Sequence, residues 1–216
     1  MNILIVGANG KIGKILSRQL VEDEDFSPVA MIRKEEQEAY FKGIGADYKM
    51  GDLTSSVEEL GKIFEGADAI VFTAGSGGKT GYDKTLEIDL DGTVKTMEAA
   101  KKAGASRYVM VSAIGADDRE YWNSSPIKPY MIAKSYADRE LRKSGLDYTI
   151  LQPGRLTDED GTCKITTDVK NADTREIPRE DVASAIVSCL RDENTMGKTI
   201  SMLSGEVSIT DALKAV

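Results

Sequence analysis

At 216 residues the chain is long enough for one sizeable domain with little left for a second. A net charge of -8 argues against a general nucleic-acid binder, which would show a basic patch, and no apolar run approaches the ~20 residues a membrane span requires. With no histidine at all, Ser-His-Asp hydrolysis, His-ligated metals and His general bases are removed, so proton chemistry must come from Tyr, Lys, Asp, Glu or Cys.

Asn2-Ile3-Leu4-Ile5-Val6 is a short apolar run of the kind buried on both faces of a parallel sheet. It leads into Gly7-Ala8-Asn9-Gly10-Lys11-Ile12-Gly13 and then an amphipathic helix from Lys14 to Leu20. Strand, glycine turn and helix together cradle a pyrophosphate: glycines let the backbone approach the phosphates, and the helix start offers free N–H groups. Because a strand begins at residue 2, a signal peptide is not expected. Cys163 and Cys189 form neither a metal spacing nor a disulfide framework, which fits a reducing compartment and a soluble cytoplasmic protein.

Strand and helix then alternate. Pro28 to Ile32 reads as the second strand, Glu35 to Phe41 as a short polar helix, and Ala46 to Met50 as a less apolar strand toward the sheet edge. Ser55 to Phe64 reads as a helix with Ser55 or Ser56 as N-cap, and Ala67 to Phe72 as the fourth strand. A long helix from Tyr82 to Lys102 closes at Gly104, followed by a strand from Arg107 to Val111 and a polar loop from Gly115 to Pro129. Tyr130 to about Lys143 is a helix, and Asp147 to Leu151 a strand ended by Pro153-Gly154. Residues 157–178 read as an irregular excursion with a small hairpin near Thr162 to Val169. A helix from Arg179 to Leu190, a strand from Lys198 to Leu203 and a helix from Ile209 to Val216 complete the chain. The alternation implies a doubly wound parallel α/β sheet, a Rossmann fold in order 3-2-1-4-5-6, forming one domain over 1–216. Residues 157–178 and 196–216 would make a small substrate-side and C-terminal part.

In such a sheet the ligand sits beyond the C-terminal strand ends, so the residues after each strand are the candidates. Arg33, twenty positions after Gly13, and Lys34 stand where an NAD enzyme usually places a carboxylate. Two cations there suit a 2′-phosphate, or else form a solvated pair at a helix start. Asp52 could accept from the adenine amino group with Leu53 on the ring, or simply start the next helix. Thr73, Ala74, Gly75 and Ser76 offer small residues and N–H groups where the cofactor ribose would pass. Ser112 follows the fifth strand, and Tyr130 and Lys134 lie four apart on one helix face. A lysine beside a tyrosine favours the phenolate and could hold the nicotinamide ribose.

The glycine turn, Val111-Ser112-Ala113, Tyr130-Met131-Ile132-Ala133-Lys134 and Leu151-Gln152-Pro153-Gly154-Arg155-Leu156 together resemble the short-chain dehydrogenase/reductase superfamily. The nearest likeness is its atypical branch, the small NAD(P)-binding proteins similar to biliverdin/flavin reductase, NmrA-like proteins and proteins named as sugar epimerases. The resemblance spans nearly the whole chain. It implies NADP(H) bound across the strand ends, Ser112, Tyr130 and Lys134 at the catalytic positions, and Val111, Pro153, Gly154 and Arg155 on the nicotinamide side. Hydride would then pass to a small carbonyl or flavin-like acceptor. The alternatives are an NmrA-like redox sensor without efficient catalysis, or a nucleotide-sugar epimerase or dehydratase, for which the C-terminal region is short. Ser112 and Tyr130 are eighteen positions apart, more than in the superfamily's typical reductases. The expected partner is a small molecule, with neither nucleic acid nor membrane, and the protein a monomer or homodimer.

Overall fold

Four consecutive buried residues, Ile3 to Val6, make β1 (Asn2–Val6) the inner strand of the sheet. The computed structural model describes residues 1–78 and 80–216. From β1 the chain passes through α1 (Lys11–Val21), β2 (Ser27–Ile32), α2 (Glu38–Ile44), β3 (Asp47–Met50), α3 (Val57–Phe64) and β4 (Ala69–Phe72). Ser56 caps α3 in a reciprocal pairing with Glu59, so Ser56 is the N-cap. The long helix follows in three continuous parts: α4 (Tyr82–Lys84), a π-helical segment (Thr85–Gly92) and α5 (Thr93–Ala103). Next come β5 (Arg107–Val111), α6 (Arg119–Ser124), α7 (Lys128–Lys143) and β6 (Asp147–Pro153). The C-terminal third contains β7 (Arg155–Thr157), β8 (Lys164–Thr166), β9 (Glu176–Pro178), α8 (Arg179–Arg191), β10 (Lys198–Ser204), β11 (Val207–Ser208) and α9 (Ile209–Lys214).

The main sheet runs β11-β8-β10-β6-β5-β4-β1-β2-β3. From β3 to β10 every pairing is parallel, and the expected order 3-2-1-4-5-6 lies within it. Alternate residues of β1 feed opposite layers. Ile3 and Ile5 pack with Leu16 and Leu20 of α1, Phe41 of α2 and Ile186 of α8. Leu4 and Val6 pack with Leu60 and Phe64 of α3 and Met97 of α5. The chain winds outward from β1 to β3, then returns to β4 on the other side of β1, so the switch point lies between β1 and β4.

Two segments depart from expectation. Residues 115–129 are not simply a polar loop: they contain α6, whose N-cap Asp118 accepts from the Glu120 and Tyr121 N–H groups while Trp122 is buried. The hairpin near Thr162 to Val169 does not form. Buried Asp181 in the first turn of α8 accepts from the Thr162 N–H and hydroxyl and the Cys163 N–H, pinning this stretch to the helix. The following β8 therefore meets β10 and β11, both antiparallel, while β7 pairs with β9.

Candidate active site

Gly7 turns the chain out of β1 at φ +84°, and a Cβ there would stand 2.5 Å from the Ala74 nitrogen. Only glycine lets the turn lie this close to the segment after β4. Thr73 bolts the two together, its N–H and hydroxyl donating to the Val6 carbonyl at 2.9 and 3.1 Å. Gly13 packs as closely, since a Cβ would meet the Gly7 oxygen at 2.4 Å. Gly10 caps α1 without a side-chain hydrogen bond, and the first turn holds no acidic residue. The free N–H groups and the positive end of the helix dipole thus remain for an anion.

Above this turn opens a cavity of about 630 Å³, a size that suits a cofactor. Of the residues singled out by sequence, Gly7, Asn9, Gly10, Arg33, Asp52, Leu53 and Thr73 to Ser76 line it. Met31 and Arg33 face it together, two apart on one side of the strand end, while the Lys34 ammonium pairs with Glu36 at 3.3 Å and does not line it. Asp52 does not start α3. Partial burial works against its charge, but Thr54, through its N–H and hydroxyl at 2.8 Å each, with Arg33 and Lys84, holds the carboxyl below the usual range. Ile12 is a core residue, and Lys11 reaches across to Asp158, which also pairs with Arg179.

The cavity lining does not include Ser112, Tyr130 or Lys134. Lys134 is 3% exposed. Its ammonium donates to the Val111 carbonyl at 3.3 Å, lies 3.7 Å from Asp89 Oδ1 and sits 5.7 Å from the Tyr130 ring centre. Asp89, fully buried in the π-helical segment, accepts at Oδ2 from the Ser76 N–H at 3.1 Å, and its Oδ1 has no hydrogen-bond partner. Burial pushes the Tyr130 phenol up, outweighing the opposing pull of Lys134, so the phenol stays protonated at neutral pH. Ser112 is 4% exposed. Gly154 is bare because Leu203 and the Arg175 backbone fill the space a Cβ would take, at 2.2 and 2.4 Å. Arg155 points away to Glu176.

A family model described as NAD(P)H-binding matches residues 7–193. The chain belongs to this NAD(P)H-binding family. It is 45% identical over 214 residues to the "Uncharacterized sugar epimerase YhfK" of Bacillus subtilis, covering 99% of each chain. Among solved structures it is similar to the "Putative NAD-dependent epimerase/dehydratase" of Bacillus halodurans, at 39% identity, a TM-score of 0.91 and full coverage of both chains. The oxidoreductase ylbE of Lactococcus lactis follows at 36% identity and a TM-score of 0.87, covering 100% of this chain and 96% of that one.

The site fits the NAD(P)H of the family: the uncapped start of α1 suits the pyrophosphate, and the cavity beside β2 and β3 suits the adenosine. Sequence reasoning missed Asp89, Gln37 and Asp138. Gln37 Oε1 accepts from the Arg33 and Lys34 N–H groups at 2.9 and 3.3 Å and so shapes the turn that carries Arg33. Asp89 gave no signal, standing among Glu87 and Asp91 in an evenly charged stretch. Asp138 did: it continues the four-residue spacing of Tyr130 and Lys134. Among the described residues no helix is long and apolar enough to cross a membrane.

Proposed function

We propose that the protein is an NADP(H)-dependent reductase acting on a small carbonyl or flavin-like acceptor. The observation that carries this reading is the pairing of Tyr130 with Lys134. The half-buried phenol, whose desolvation favours the protonated form, has its ring centre 5.7 Å from the buried ammonium and is ready to donate. Bound NADPH supplies the hydride. Tyr130 gives its proton to the acceptor oxygen that gains charge, which is worth about 10²–10⁴-fold in rate for a well-placed acid. Lys134, fixed by Asp89 and the Val111 carbonyl, stabilises the phenolate left behind. Ser112 donates to the same oxygen. Arg33, which makes no ion pair among the described residues, supports NADP(H) over NAD(H), since the strand end that carries it offers no ribose carboxylate.

The test is a titration with NADPH and NADH followed through Trp122 fluorescence, with turnover measured on quinones and free flavin. Arg33→Asp is expected to weaken NADPH about 10–100-fold, as loss of a charge-assisted contact does, and to leave NADH unchanged. Tyr130→Phe is expected to lower kcat about 100-fold or more with NADPH affinity retained. Equal affinity for both nucleotides removes the NADP(H) assignment, and full turnover by Tyr130→Phe removes the acid.

A second reading, a redox sensor, is favoured by one observation: Ser112 and Lys134 are closed off from the cavity. It predicts no turnover but a large difference in affinity between NADP⁺ and NADPH.

A further inference from the structure

One buried ionisable group has no part in the proton transfer just described. Asp138 lies on α7, four residues beyond Lys134 and fully buried. Its Oδ2 accepts from Gln152 Nε2 at 2.9 Å. That amide is fixed in orientation, because Nε2 also donates to Asp117 Oδ2 at 3.1 Å while Oε1 accepts from the Ser201 hydroxyl at 3.1 Å. Asp117 is itself held by both terminal nitrogens of Arg142. On its other side Asp138 adjoins Ser112, yet neither Asp138 Oδ1 nor Ser112 Oγ has a well-formed hydrogen bond.

Two neighbouring buried orphans are each costly alone, and one shared proton satisfies both. Which of them supplies that proton decides where the serine hydrogen points. We propose that Asp138 is a positioning residue for Ser112: as the acid it donates to Ser112 Oγ and frees the serine hydrogen for the acceptor, and as the carboxylate it takes that hydrogen for itself. Only the mention of an acceptor rests on the reductase reading; the coupling of the two side chains does not.

The surroundings keep both forms within reach of ordinary pH. Burial is the dominant influence and pushes the Asp138 carboxyl up to about 6, against the opposing pull of Ser112, Gln152, Lys134 and Arg142. Tyr130 is the other titratable group facing it from α7, and Asp117 and Asp89 are reached through Gln152 and Lys134 respectively. Among the described residues no cation forms an ion pair with Asp138. Gln152 donates at every pH, so Ser112 is the partner whose hydrogen bond must reverse.

The experiment has two arms on the full chain. Carbon-13 carboxyl NMR follows the Asp138 titration in the ligand-free protein, with Asp138→Asn identifying the signal. Ser112→Ala is expected to move that titration to higher pH by about one unit, because the carboxylate loses a donor. Superimposable titrations overturn the proposal. The second arm measures NADPH-dependent reduction of 9,10-phenanthrenequinone against pH. Wild-type kcat is expected to fall about tenfold or more as pH rises through the Asp138 titration, the scale of losing one oxyanion donor. Asp138→Asn is expected to give a flat profile, because its amide donates to Ser112 at every pH, with NADPH affinity unchanged. A wild-type profile in Asp138→Asn overturns the proposal. A shifted titration with no turnover of any acceptor supports the coupling and retires the reductase reading.

Discussion

Two buried carboxylates flank Lys134, and they accommodate burial differently. Asp89 keeps a cation 3.7 Å away and an N–H from Ser76, whereas Asp138 has an amide, a hydroxyl and no cation that close. A carboxyl raised from 3.8 to about 6 binds its proton more tightly in the folded chain than in the unfolded one. Its contribution to stability is therefore fully present below the unfolded value and is lost as pH rises through about 6. A shift of this size corresponds to roughly 3 kcal/mol at most. Urea unfolding should accordingly find Asp138→Asn more stable than wild type at pH 8, by about 1–3 kcal/mol, with the gain shrinking toward pH 4. Equal differences at both ends would show that Asp138 does not titrate with folding. At this scale part of the site was legible. Met31 and Arg33 share a side of the strand end by simple alternation, which singles out Arg33 over Lys34 for the cavity. Asp138 continues the helical spacing of Tyr130 and Lys134, but its burial is not written in the spacing, because it depends on Gln152 arriving from β6.

Among the elements, the π-helical segment sets the site's inner wall. It brings Asp89 between the Ser76 N–H and Lys134, so one carboxylate ties α7 to the segment after β4. Removing it strands a buried ammonium, and breaking a buried pair in this way costs about 3–5 kcal/mol. Asp89→Ala should therefore lose that much in urea unfolding, while Asp89→Asn, which can still accept from Ser76, should lose less. If Asp89→Ala is as stable as wild type, the pair does not hold the wall. Elements with a clear period were readable: β5 runs from Arg107 to Val111 as its sequence suggests, and the long helix ends at Gly104 with φ +79°. The π-helical segment was not, because a wider turn leaves no mark in composition. Nor was α6, whose six residues are too few to display a period around the single buried Trp122. The three-residue strand β8 owes its partners to Asp181, seventeen positions away.

Across the whole molecule the sheet order follows from right-handed strand–helix–strand units, which is why it could be written down from the alternation alone. Beyond β6, α8 leads on to β10, parallel to β6, as one further such unit seated in the core. The short strands β7, β8, β9 and β11 follow no such unit, and polar contacts help to hold them. One such contact, Asp158 with Lys11 and Arg179, joins this region to the glycine turn. Asp158 and Lys11 are largely exposed, so Asp158→Asn should leave stability close to that of the wild type. It should nevertheless tighten NADPH binding at low salt, because Lys11 is released for phosphate, and the gain should fade as salt rises. Loss of affinity in this variant would mean that Asp158 serves the cofactor directly. The π-helical segment, finally, sets the phase of the long helix. Lys84 just before it and Glu87 and Ile88 in its first half face the cavity, and downstream Met97, Ala99 and Ala100 face the core. Each residue advances a helix by about 100°, so deleting Asp91 would turn the upstream half by that angle against the downstream half. The core half would keep its seat, and Asp89 would swing off Lys134. A one-residue deletion could thus disconnect the cofactor wall from the proton donor while leaving the fold standing.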